Sequence, residues 1–109
     1  MKNFKQVEYA NNRNSLRNAI TNKLKEPIAS IIEGILKNKA FIKNKKESHD
    51  GNSSKLFYVL SIANKPGFIS LKISLDNLIT LKVSYKEIKE IKTRDHSEIV
   101  SLIKSTLFS

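Results

Sequence analysis

Apolar residues recur along this chain with two different periods, and the change between them falls near residue 55. From Arg13 onward Leu16, Ile20 and Leu24 return every fourth position, which lines one side of a helix ending near Lys25. Asn11 to Asn14 offer side-chain acceptors suited to capping its first turn. Pro27 has no amide donor and fits best in a first helical turn, so the pattern predicts a break there. A second helix then runs from Pro27 to about Lys39, with Ile28, Ile31, Ile32, Ile35 and Leu36 on its apolar side. Residues 1–12 read as a polar N-terminal arm. Residues 43–54 contain no apolar side chain and read as a mobile basic loop.

From Lys55 the period becomes two. Leu56, Tyr58, Leu60 and Ile62 alternate along a first strand, and Asn64-Lys65-Pro66-Gly67 places Pro and Gly where a type II turn uses them. Phe68 to Leu75 and Leu78 to Tyr85 continue as second and third strands. Facing residues must point to the same side, so a four-residue first turn pairs Ile62 with Ile69 and Leu60 with Leu71. A three-residue second turn pairs Leu75 with Ile79 and Leu71 with Val83, and sets Lys72 opposite Lys82. Ser84-Tyr85-Lys86-Glu87 has the spacing of a capping box and predicts a short helix turning Ile88 and Ile91 inward. Asp95-His96-Ser97-Glu98 predicts a last helix burying Ile99, Leu102, Ile103 and Leu107.

The expected fold is therefore α+β, a three-stranded antiparallel β-meander packed on one face by helices, in the order α-α-β-β-β-α-α. The packed face carries Leu56, Tyr58, Leu60, Ile62, Ile69, Leu71, Ile73, Ile79, Leu81 and Val83. The opposite face carries Phe57, Val59, Ser61, Ser70, Lys72, Ser74, Thr80, Lys82 and Ser84. At 109 residues, 39% of them hydrophobic, residues 1–109 suit a single basic domain. The order of elements resembles that of winged-helix accessory proteins of plasmids and phages. A helix, three-strand meander and helix also occur in YbaB-type nucleoid proteins, again a likeness of order alone.

Composition narrows the chemistry. The absence of cysteine excludes disulfides, thiolate metal sites and a cysteine nucleophile. No Gly-rich phosphate loop, paired-histidine motif or serine elbow appears, so neither a cofactor nor a metal is expected. Met1 to Asn12 is too polar for a signal peptide and no apolar run approaches the ~18 residues of a membrane span, which suits a cytoplasmic chain without a membrane partner.

The charge changes the picture most. Twenty Lys and Arg face ten Asp and Glu, for a net +10 and a pI near 9.9. Frequent Lys, Asn and Ile suit an AT-rich coding sequence, yet such a bias does not suppress acidic residues. Residues 1–46 hold eleven basic against three acidic side chains, and residues 47–109 nine against seven. Clustered like charge is favourable chiefly when a polyanion neutralises it.

Three groups could supply the contacts. Lys72 and Lys82 share the open sheet face with Phe57 and several hydroxyls. Lys37, Lys39, Lys43, Lys45 and Lys46 lie on a helix end and loop, where they could follow phosphates without reading bases. Arg13 and Arg17 sit one turn apart on the first helix. A helix-turn-helix is disfavoured, because the outward positions Ser30, Glu33, Gly34 and Lys37 offer nothing suited to base edges in the first turns. Arg94, His96 and Glu98 have the side-chain types of a small RNase-like toxin, but capping of the last helix accounts for them more simply, and no enzyme is expected.

The expectation is thus a nucleic-acid-binding accessory protein that contacts the phosphate backbone, DNA ahead of RNA. The alternative is a protein-interaction module or antagonist binding an acidic protein partner. An uncovered strand edge or the Phe57 face could mediate a homodimer.

Overall fold

The computed structural model describes residues 25–49 and 51–108, and these form five strands with a helix at either end, not the three-stranded meander expected. Helix α1 occupies residues 25–36 and buries Ile28, Ala29, Ile32 and Leu36. It already includes residues 25 and 26, so Pro27 lies within it and not at a break. Asn38, at φ 64°, ends the helix in the left-handed conformation while the amides of Lys39 and Ala40 return to the Leu36 carbonyl. The expected helix over 13–25, its residues Arg13 and Arg17, and the arm over 1–12 lie outside the described residues.

Strands β1 (Phe41–His49), β2 (Ser53–Ile62), β3 (Lys65–Ser74), β4 (Ile79–Tyr85) and β5 (Glu87–Thr93) form one antiparallel sheet in chain order. Helix α2 (His96–Leu107) follows, capped by Asp95, whose carboxylate accepts from the Ser97 amide at 2.9 Å. It buries Ile99, Ile103 and Leu107 against β4 and β5, three of the four residues expected, while Leu102 is only half-buried. α1 is tied to β1 and β2, and both helices share one core with the inner sheet face. All ten residues assigned to that face from their alternation are buried.

Two strands were read as something else. β1 replaces most of the mobile loop over 43–54. It shows no apolar alternation because it is an edge strand, and its inward positions Lys45 and Glu47 are held by ion pairs. β5 replaces the short helix after Tyr85. Lys86 at φ 68° reverses the chain, so the capping-box spacing is not used. The three-residue spacing of Ile88 and Ile91 suggested one helix face, but in a strand it puts them on opposite sides, Ile88 exposed and Ile91 half-buried.

Turn chemistry moved the register. Ala63 and Asn64, at φ 52° and 67°, make a two-residue reversal whose twist suits the flanking strands. Ile62 therefore pairs with Lys65, Leu60 with Gly67 and Leu56 with Leu71. Pro66 lies within β3, before the β3–β4 ladder starts at Phe68, where no partner needs its missing donor. The next reversal does use three residues, but they are Leu75 to Asn77, closed by the Ser74 amide on the Leu78 carbonyl at 2.9 Å. Both corrections shift the pairing by an even number of residues, which leaves the side chains that remain in the strands on their expected faces, whereas Leu75, expected beside Ile79, lies exposed in the turn. Gly67 is required by close approach: a Cβ there would stand 3.1 Å from the Ser84 carbonyl oxygen and 3.4 Å from the Tyr85 ring.

Candidate nucleic-acid interface

The sheet surface turned away from the helices follows from the pairing. Lys46, Phe57, Ser70, Lys82 and Glu90 lie abreast across the five strands, and Ser48, Lys55, Lys72, Thr80 and Lys92 form the next row. Each strand thus contributes one lysine to this face: Lys46, Lys55, Lys72, Lys82 and Lys92. All five are exposed, and none makes an ion pair or hydrogen bond among the described residues. Glu90 is the one carboxylate in these two rows. Lys55 and Lys72 pair directly, a like-charge juxtaposition that costs some tenths of a kcal/mol unless an anion lies between them.

Between β1, β2 and β3 the surface forms a hollow of about 700 Å³ bordered by Lys46, Ser48, Lys55, Phe57, Ser70 and Lys72. Phe57 stacks on Phe68 from the neighbouring strand, ring centroids 5.6 Å apart and planes 29° from parallel. Both rings are half-buried. Beyond them the face becomes apolar, with Val59 and Pro66 and, at its margins, Phe41 68% exposed and Ile88 62% exposed.

Where α1 meets β1 and β2 on the covered side, Lys25 and Lys45 are occupied. The Lys25 ammonium, on a side chain only 6% exposed, donates to Glu47 Oε2 at 3.0 Å. Lys45 reaches Glu47 Oε1 and Glu33 Oε2, each at 3.2 Å, and Tyr58 Oη donates to the same Glu33 oxygen at 3.2 Å. Hydrogen bonds from Lys25 and then Lys45 hold the Glu47 carboxyl below its ordinary value. Burial pulls the Lys45 ammonium down, but the bonds and charges of Glu47 and Glu33 together outweigh it and raise the group. Burial, with the Glu33 charge and hydrogen bond after it, raises the Tyr58 phenol. This chain of partners fastens α1 to β1 and β2 and offers no free cation to a ligand.

The structure therefore sorts the expected contact residues. Lys46, Lys72 and Lys82 stand on the open face, although Lys72 faces Thr80 and Lys82 faces Ser70, so the two lysines are diagonal neighbours and not opposite. Lys45 is withdrawn into the covered junction. Lys43 lies at a bulge in the edge strand between Ile42 and Asn44. Lys37 and Lys39 follow α1, the latter with its ammonium 5.3 Å from the centre of the Phe108 ring. Lys55 and Lys92 were missed. Alternation with Leu56 could have found the first, and the second was hidden by reading β5 as a helix. Arg94 donates to Asp76 Oδ2 at 2.6 Å and to the Asp76 carbonyl, which ties the start of α2 to the β3–β4 turn. His49 ends the edge strand β1 and His96 begins α2, both exposed. No helix among the described residues is long and apolar enough to cross a membrane.

No family model, curated protein or solved structure matches this chain.

Proposed function

We propose that the open face of the sheet binds nucleic acid through its phosphate backbone. The observation that supports this reading is the set of five lysines, one from each strand, that share a surface and have no carboxylate partner among the described residues. Serine and threonine hydroxyls between them, Ser48, Ser70 and Thr80, are suited to phosphate and sugar oxygens. A polyanion spanning several strands would neutralise the like charges at Lys55 and Lys72 and release its own counterions as it bound.

Fluorescence anisotropy of labelled DNA and RNA across a salt series tests this. If all five lysines meet phosphates, log K falls against log salt with a slope of about −3.5 on single strands and about −4.5 on duplex. Absence of binding near ~50 mM salt, where such contacts are strong, would overturn the reading and turn attention to an acidic protein partner.

A further inference from the structure

Resting on that reading, we propose that the ligand is single-stranded, with unstacked bases seated on the Phe57–Phe68 ring pair and the backbone running across the strands over the lysine rows. The two rings project from adjacent inner strands, and part of each meets solvent. Lys46 and Lys82 share the row of Phe57, and Lys55 precedes it by two residues along β2. At about 4.8 Å between strands and about 6.7 Å between alternate residues, these lysines border the Phe57 side of the ring pair within the reach of one nucleotide, while the row of Phe68 carries none. Lys55, Lys72 and Lys92 continue the cationic track in the next row, on the side away from Phe68.

Duplex geometry does not suit this surface. Double-stranded DNA hides its base faces in the stack, and its major groove admits a helix or a two-stranded ribbon, not the broad face of a five-stranded sheet. Aromatic rings partly open to solvent beside lysines offer stacking contacts only to bases that are already unstacked. Stacking tolerates any base, so affinity should show little dependence on sequence, and the same surface serves DNA or RNA.

The decisive comparison uses three labelled oligomers of about twelve nucleotides, long enough to cross the face: oligothymidylate, oligouridylate and an abasic strand of equal charge. At least one base-bearing strand should bind about tenfold or more tightly than the abasic strand, the effect of one stacked base. Phe57→Leu combined with Phe68→Leu keeps apolar bulk and should shrink that preference to about twofold or less while leaving abasic-strand affinity unchanged. Equal binding of base-bearing and abasic strands by the unaltered chain would overturn the stacking proposal and leave phosphate binding intact. Tighter binding of a duplex than of any single strand would also overturn it. Failure of every strand to bind at low salt would instead remove the nucleic-acid reading itself. Because the first comparison uses the unaltered chain, a variant that failed to fold would not blunt it.

Discussion

Lys45 and Lys46 follow one another along β1 and face opposite sides of the sheet. Lys45 turns toward α1, and Glu33 of that helix and Glu47 of β1 take its ammonium; Lys46 turns outward into a row with Phe57 and Lys82 and has no carboxylate partner among the described residues. The two residues are identical in charge and adjacent in sequence, yet one fastens the fold and the other is open to a ligand. Availability, and not the number of cations, decides what a basic chain can hold, and here the pleat makes the selection. The same division extends outward: Lys25 belongs with Lys45, while Lys55, Lys72, Lys82 and Lys92 belong with Lys46.

Exchange of open-face lysines should give the largest effect. Each phosphate contact on a single strand contributes about 0.7 to the salt slope, hence about fivefold in affinity near 0.1 M salt, so K55Q/K72Q/K82Q is expected to weaken binding about 100-fold. Anisotropy titration measures this, and thermal unfolding of the variant should stay close to the parent because these side chains make no ion pair or hydrogen bond among the described residues. Lys45→Gln should change affinity by less than about twofold. A loss as large as one open-face contact would break the division between the two sides.

A smaller effect of the opposite kind is expected in the covered junction. Glu47→Ala leaves the buried Lys25 ammonium without its acceptor, and after allowance for solvent screening at the half-exposed Glu47 the cost should be about 1–2 kcal/mol, read in urea unfolding. Nucleic-acid affinity should be retained. Because the fold depresses the Glu47 carboxyl, the native state binds fewer protons than the unfolded chain, and stability should fall as pH drops below the ordinary value of 4.5. Asp76, held down by Arg94, and Asp95, held down by Ser97, add to that acid sensitivity. Glu47→Gln should make the decline with acid shallower, and an unchanged slope would show that the junction contributes nothing to it.

The smallest expected effect concerns neither set of lysines and serves as a control. Ala63 holds a left-handed conformation that a Cβ disfavours, so Ala63→Gly should raise stability by about 0.5–1 kcal/mol in the same unfolding assay and leave affinity alone. A change in affinity here would mean that general stability, and not the open face, controls binding.

The alternation from Leu56 to Val83 was enough to assign both faces of the central strands, and with them the exposure of Lys72 and Lys82. Turn positions were less legible. Pro66-Gly67 is a strong local turn signal, but a proline just outside a ladder and a glycine under Tyr85 satisfy other demands, while Ala63-Asn64 forms the reversal with one residue seldom used there. β1 was invisible for a different reason. An edge strand with charged inward positions is indistinguishable by hydrophobic pattern from a loop, and its partners Lys25 and Glu33 are 22 and 12 residues away in sequence from Glu47 and Lys45. For β5, a three-residue apolar spacing fitted either a helix or a strand, and only the reversal at Lys86 decides between them. The excess of basic residues before position 47 gives no sign of the open face, because four of its five lysines come after that position.

Among the described residues, every strand of the sheet hydrogen-bonds only to strands next to it in sequence. Closing each hairpin requires a short excursion of chain, so the entropy lost before a contact forms is small, and the sheet can zip together from any of its reversals. Refolding should accordingly be quick for a β-rich domain of this size, with the late step being arrival of the two terminal helices on the same side of the assembled sheet.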